Sequence, residues 1–197
     1  MNNYYFKTKS ITTYLIVINI VMFILEICTG GYYSNGLMMS LFAMNTQSVL
    51  TGQVWRLFTA MFLHFGALHL LLNMLALYNI GYFLEDYIGS KKYLTIYLLG
   101  GICGNLSVMI SDSITNAYVI GAGASGAIFA VLGALVCIAK FEPQSHLDYK
   151  NLLYSTISAL LPGFLIPGIS LSAHIGGLIG GIAIYMILRN IGDKKRW

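Results

Sequence analysis

Much of this chain consists of long stretches with few or no charged residues, and these stretches constrain its fold more than any other feature. Of its 197 residues only 9% are charged and 57% are hydrophobic, whereas soluble domains carry a charge at about a quarter of their positions. A run of about 20 apolar residues is long enough to cross the hydrocarbon core of a bilayer as a helix. The sequence therefore predicts an all-α membrane protein without a large soluble domain.

Turn residues and charges set the limits of six predicted transmembrane helices. Pro162-Gly163 and Pro167-Gly168 should interrupt a helix, so the last apolar region is divided into two spans. We expect residues 1–197 to form one membrane-embedded bundle with spans at 11–28, 66–84, 93–110, 123–139, 152–166 and 169–188. Residues 30–55 carry no charge but contain glycines and polar residues, which predicts an outer loop lying partly at the membrane interface with Trp55 as its anchor.

The basic residues predict the orientation of the bundle. All but Arg56 fall in the terminal segments or in the connections after the second and fourth spans: Lys7, Lys9, Lys91, Lys92, Lys140, Lys150, Arg189, Lys194, Lys195 and Arg196. Cations concentrate on the cytoplasmic side of membrane proteins, so both termini are predicted to be cytoplasmic. The net charge of +4 then indicates contact with anionic lipid, and no nucleic-acid partner is expected.

Four polar residues are unusual because they lie within apolar spans. They are His69, Asn73, Ser125 and His174. An ionisable group in hydrocarbon is costly and is a functional candidate by default. In the predicted topology the second, fourth and sixth spans all enter the membrane from outside, so these residues share one depth in its outer half. Ser125 also begins its span, where free N–H groups favour negative charge. The pattern indicates a serine nucleophile and its base.

Taken singly, these residues have structural interpretations as well. Small residues around Ser125 let helices approach, and a lone histidine or Asn73 can join helices by hydrogen bonds. His64 and His69 are about 140° apart around a helix, so they do not form the paired ligands of a zinc protease, and we expect neither metal nor cofactor. A small transporter or channel is an alternative, but no internal repeat and no intramembrane charge pair is visible.

In combination, the motifs resemble those of the rhomboid family of intramembrane serine proteases. The matching segments cover nearly the whole chain in the family's order: Trp55-Arg56, His64 to Asn73, Gly81 to Glu85, Gly123 to Gly126, and Ala173 to Gly181. The resemblance implies that Ser125 attacks the scissile carbonyl and that His174 is its base. It also implies an oxyanion hole made by the Ser125 backbone N–H, His69 and Asn73. A catalytically silent relative that only binds membrane proteins is an alternative, although both dyad residues are present.

Supporting roles are expected for Gly123, Gly126, Phe129, His64 and Gly177. Phe129 lies one turn after the serine and can stack on the imidazole, at a position where many family members have tyrosine. Gly177 lets the sixth span press against the fourth. His64 either lines the outer mouth of the site or is structural. No acid is expected to orient the histidine, because Asp112 is assigned to an outer loop.

The resemblance also implies the partners and location of the chain. Its substrates are transmembrane proteins, and its solvent is the lipid bilayer. We expect a multi-pass protein of a bacterial plasma membrane, since no organelle-targeting presequence is visible. Hydrolysis needs water, so the active site is predicted to open to the extracytoplasmic side.

Overall fold

The computed structural model describes residues 10–31, 36–166 and 168–193. Lys7, Lys9, Pro167, Lys194, Lys195 and Arg196, on which part of the predicted topology depends, lie outside the described residues. The described chain is predominantly helical, which confirms the predicted all-α membrane fold.

Four helices in the described ranges are long and apolar enough to cross a membrane. They are α1 (Ile11–Cys28), α5 (Ala67–Ile88), α6 (Ser90–Thr115) and α10 (Leu171–Asp193). A fifth apolar helix, α7 (Ser125–Phe141), is shorter. Helices α5 and α6 extend past the predicted limits of 84 and 93, because charged residues continue a helix beyond the hydrocarbon and only Gly89, with φ of +84°, separates the two.

The region predicted as the fifth span is made of two shorter helices. Asp148 caps the first of them by accepting a 3.1 Å hydrogen bond from the N–H of Asn151. The helices are α8 (Tyr149–Leu160) and α9 (Pro162–Leu165). Twelve helical residues extend about 18 Å, which is less than the thickness of a bilayer core. The number of spans therefore stays a prediction.

Three short helices lie within and directly after the predicted interfacial loop of residues 30–55, and Arg56 donates hydrogen bonds to this loop. Its guanidinium donates to the carbonyl oxygens of Ala43 at 2.8 Å and Ser40 at 2.5 Å, and to the side chain of Gln53 at 2.8 Å. Burial lowers the pKa of this guanidinium because it disfavours the charged form. The three hydrogen bonds offset the cost of burying the charge. The helices are α2 (Leu37–Phe42), α3 (Thr46–Leu50) and α4 (Arg56–Thr59), followed by a 3₁₀ turn at Ala60–Phe62.

Helices α6, α7 and α10 form the packed centre of the molecule. Small residues at their contacts allow this closeness, since a Cβ on Gly181 would overlap the backbone of Ala130, and one on Gly100 would overlap the side chain of the same alanine. Helix α1 packs on α5 outside this centre. Two of these three helices, α7 and α10, carry Ser125 and His174.

Candidate active site

Ser125 is the first residue of α7, and the loop before it is held by backbone hydrogen bonds. Gly121 and Met44 exchange two hydrogen bonds, of 2.7 and 2.9 Å, as an isolated antiparallel bridge. The N–H of Gly123 donates to the carbonyl of Ala60 at 3.0 Å. Gly123 has φ of +138°, which side-chain-bearing residues rarely adopt. These contacts fix the point and direction in which the helix begins.

His174 lies in the first turn of α10 and reaches the serine. Its Nε2 is 3.0 Å from Oγ of Ser125. The ring of Phe129 stacks on the imidazole, with a centroid distance of 4.3 Å and an angle of 21° between the planes. With Nε2 unprotonated, the hydroxyl donates to it, which is the geometry that a general base requires. The structure therefore brings these three predicted residues together.

Glycines hold α10 against its neighbours at the depth of this pair. A Cβ on Gly177 would overlap the carbonyl oxygen of Gly126 on α7. On the other side of α10, a Cβ on Gly104 of α6 would lie 2.9 Å from the carbonyl oxygen of Ala173. A larger residue at either contact would force the backbones apart. Gly177 therefore sets the separation of the helices that carry the serine and the histidine, whereas a Cβ on Gly126 would lie 3.4 Å from the carbonyl oxygen of Ala173, in ordinary contact.

Two side chains of α5 face the start of α7. A Cβ on Gly123 would lie 3.0 Å from Nε2 of His69 and 3.7 Å from Nδ2 of Asn73. In the ranges that the structure describes, Nδ2 of Asn73 is buried and has no hydrogen-bond partner. The first N–H groups of α7 add free donors and a partial positive charge. This arrangement suits a negative charge that develops beside Ser125.

The imidazole of His174 has no carboxylate partner among the described residues, because its Nδ1 is buried without a hydrogen bond. The expectation that Asp112 lies in an outer loop is wrong, since α6 continues through it without a glycine or proline to end the helix. Asp112 is buried and accepts a 2.6 Å hydrogen bond from Thr46. Within the described part of the chain, Ser125 and His174 therefore form a pair without a third acidic residue.

His64 does not line an open mouth, which was one of the two roles that the sequence left open. Its side chain is fully buried, and its ring meets that of His69 edge-on, with centroids 5.2 Å apart. Its backbone N–H donates to the carboxylate of Glu26 on α1. The sequence analysis missed Glu26, although a lone acid in an apolar span is itself a signal of function.

Comparison with known proteins gives consistent matches. Residues 51–191 match the Rhomboid domain family. The chain is 38% identical over 176 residues to the rhomboid protease GluP of Bacillus subtilis, which covers 88% of this chain and 34% of that protein. It is 35% identical over 142 residues to RHOMBOID-like protein 7 of Arabidopsis thaliana, covering 69% and 43% of the two chains.

A third relative matches over more of its own length. The chain is 30% identical over 197 aligned positions to Rhomboid-like protease 3 of Toxoplasma gondii, which covers 96% of this chain and 73% of that protein. The chain thus spans about a third of the Bacillus protein and under half of the Arabidopsis protein.

Proposed function

The chain belongs to the rhomboid family, and from this premise we propose that it is an intramembrane serine endopeptidase. The observation that carries the proposal is the 3.0 Å contact between the hydroxyl of Ser125 and Nε2 of His174 at the start of α7. Both residues fall within the region that matches the family. No observation favours a transporter or a silent binding protein.

The proposed reaction proceeds through an acyl-enzyme. Oγ of Ser125 attacks the scissile carbonyl carbon while Nε2 of His174 takes the hydroxyl proton. When the tetrahedral intermediate collapses, the histidine gives that proton to the leaving amine. Water then attacks the ester with the same histidine as base, and the serine is regenerated. Stacking on Phe129 supports the imidazole plane through both steps.

The negative oxygen of each intermediate needs fixed donors. We assign this role to the backbone N–H of Ser125 and the side chains of His69 and Asn73, whose nitrogens converge near Gly123. Donors of this kind act without reorganisation, and removal of one typically costs about 10² to 10³ in turnover. Nδ2 of Asn73 has no partner among the described residues, and in this role it would gain one when the oxyanion forms.

Hydrolysis needs water at a depth where hydrocarbon would exclude it. A largely apolar cavity of about 420 Å³ lies beside the start of α10, and Ser111, Ser170 and Ser172 are among its lining residues, whereas Ser125 and His174 are not. The backbone before α7 and before α10 is not helical. Such irregular backbone is tolerated in a membrane only where it faces protein or water. We propose that the site opens to the extracytoplasmic side of a bacterial plasma membrane, with six spans and both termini in the cytoplasm.

The substrate in this proposal is a transmembrane segment of another protein. A peptide bond inside a helix is shielded by its own turns, so the segment must unwind before Ser125 reaches it. Glycine and other poor helix formers lower the cost of unwinding by about 1 kcal/mol each. Segments with small or helix-breaking residues near the outer end are therefore the expected substrates.

The test uses the purified full chain reconstituted into vesicles with a model transmembrane substrate. We expect the wild type to cut the substrate near its outer end and Ser125→Ala to leave it intact. Thermal unfolding of both proteins in detergent checks that the variant is folded. Cleavage that persists in purified Ser125→Ala would remove the proposed nucleophile.

A further inference from the structure

Glu26 is a buried acid that the proposed reaction does not use. It lies near the end of α1 and is fully buried. Its two carboxylate oxygens are 3.1 and 3.3 Å from the backbone nitrogen of His64 and share that N–H. An apolar residue at this position of a membrane helix would avoid the cost of desolvating a carboxylate. Because burying a carboxylate in a membrane helix is costly, Glu26 is a candidate for a specific structural or functional role.

The N–H that Glu26 binds belongs to a segment leading directly to the candidate oxyanion donors. His64 lies between the 3₁₀ turn at Ala60–Phe62 and the start of α5. Gly66, with φ of +108°, makes the bend into that helix, and His69 lies in its first turn. The position of His64 therefore determines how α5 enters the site.

The side chain of His64 continues this chain of contacts. Its ring is fully buried and meets the ring of His69 edge-on, at 5.2 Å and 65°. Nε2 of His69 is the atom that a Cβ on Gly123 would approach to 3.0 Å. Two successive contacts thus connect the carboxylate of Glu26 to the ring of His69, whose Nε2 lies beside Gly123, two residues before the serine.

We propose that Glu26 is a positioning residue for the reaction. By anchoring the backbone of His64, it sets the ring of His64 against His69 and so fixes the direction in which His69 donates. The inference rests on the proposed function, because it concerns the oxyanion hole of that site. An oxyanion donor must lie within about 2.7–3.1 Å of the charge, and a displacement of about 1 Å can cost on the order of 10² in rate.

Two substitutions of Glu26 test its role as a hydrogen-bond acceptor separately from the size of its side chain. Glu26→Gln keeps an oxygen acceptor at the same reach, and we expect its kcat within about twofold of the wild type. Glu26→Met keeps the length, removes the acceptor and is easily buried. We expect it to lower kcat about tenfold with KM unchanged, because the donor is misdirected and substrate binding is not.

Glu85→Met is the matched control. Glu85 also accepts backbone N–H groups across the contact between α1 and α5, but at the opposite end of the pair. Glu85 also accepts hydrogen bonds from the hydroxyls of Thr12 and Ser90, so its replacement should lower Tm more than Glu26→Met does. Its kcat, measured on the folded fraction, should equal that of the wild type.

The experiment measures kcat, KM and Tm of the four proteins in the same vesicles and detergent. The expected result is a crossed pattern, in which Glu26→Met affects mainly kcat and Glu85→Met mainly Tm.

The inference is overturned if kcat of Glu26→Met equals that of the wild type, if only KM changes, or if Glu26→Gln is as slow as Glu26→Met. A wild type that cuts and a Glu26→Met variant that cuts equally fast overturn this inference alone. A wild type that does not cut overturns the proposed function and this inference with it.

Discussion

Two buried polar clusters at opposite ends of α5 are built in opposite ways. At one end, the carboxylate of Glu85 accepts hydrogen bonds from the backbone of Ile11 at 2.8 Å and of Thr12 at 2.9 Å. It also accepts from the hydroxyls of Thr12 at 2.8 Å and Ser90 at 2.7 Å. Toward the other end, Nδ2 of Asn73 is buried with no partner in the described part of the chain. The first cluster is complete in the resting protein, and the second is not.

The difference separates groups that hold the fold from groups that act on a ligand. A buried donor without a partner costs about 1–3 kcal/mol, and for Asn73 its position beside the start of α7 indicates where a partner would come from. In the proposed reaction the developing oxyanion supplies it. The carboxylate of Glu85 already accepts four hydrogen bonds within the protein, so it is not available to bind a substrate. Substitutions in the two clusters should therefore change different quantities.

The largest effect on turnover is expected from His174→Ala. Without the imidazole the serine hydroxyl keeps its proton, and turnover should fall by on the order of 10⁴ or more. Stability should fall only modestly, because the variant loses the hydrogen bond to the serine and the stacking on Phe129. Cleavage assays with the model transmembrane substrate, together with thermal unfolding, check both statements. Turnover within tenfold of the wild type would show that another group is the base.

Asn73→Ala is expected to have the next largest effect. Loss of one oxyanion donor should lower kcat by on the order of 10² while KM stays nearly constant. The comparison of clusters also predicts that Tm is maintained or slightly raised, because an unpartnered buried amide is removed. A large fall in Tm with unchanged kcat would assign Asn73 to packing.

Phe129→Leu should have a smaller effect on turnover. The stacked ring supports the plane of His174 and is worth about 0.5–1.5 kcal/mol, which corresponds to a loss of at most roughly twofold to thirteenfold in kcat. Steady-state kinetics on the reconstituted protein measure this loss, and Phe129→Tyr is the control that keeps the ring. Equal rates for the leucine and tyrosine variants would show that stacking is not used.

Glu85→Ala is expected to have the smallest effect on turnover and the largest on stability. Hydrogen bonds to a charged group contribute about 1.5–3 kcal/mol each, so the free energy of unfolding should fall by at least about 2 kcal/mol. Denaturation in detergent measures this fall, and kcat of the folded fraction should match the wild type. A variant with normal stability and lost turnover would contradict the distinction between the two clusters.

Much of the fold was predictable because hydrocarbon restricts what can lie in it. Charge-free runs located the long helices, and rare polar residues such as Ser125 and His174 stood out against them. Helix ends were less predictable, since the chain can continue a helix into water, as α5 and α6 do on either side of Gly89. The interruption between α8 and α9 falls at Pro162, where the sequence predicts a helix break, although the predicted span of 152–166 continued across it.

The residues that sequence reasoning missed act through tertiary contacts. Nothing in the local sequence shows that Glu26 binds the N–H of His64, 38 positions away, or that Asp112 binds Thr46 across 66 positions. The intrinsic cost of an acid in an apolar span was a usable signal for Glu26. It indicated that a partner was needed, but the partner became visible only in the folded chain.

The most direct test of the central claim is labelling by a fluorophosphonate, which reacts with activated serines. Mass spectrometry of the labelled wild type should find the adduct on Ser125 and on no other serine. His174→Ala should abolish the adduct, whereas Glu85→Ala should retain it in the folded fraction. An adduct elsewhere, or equal labelling of the His174→Ala variant, would contradict the claim that His174 activates Ser125.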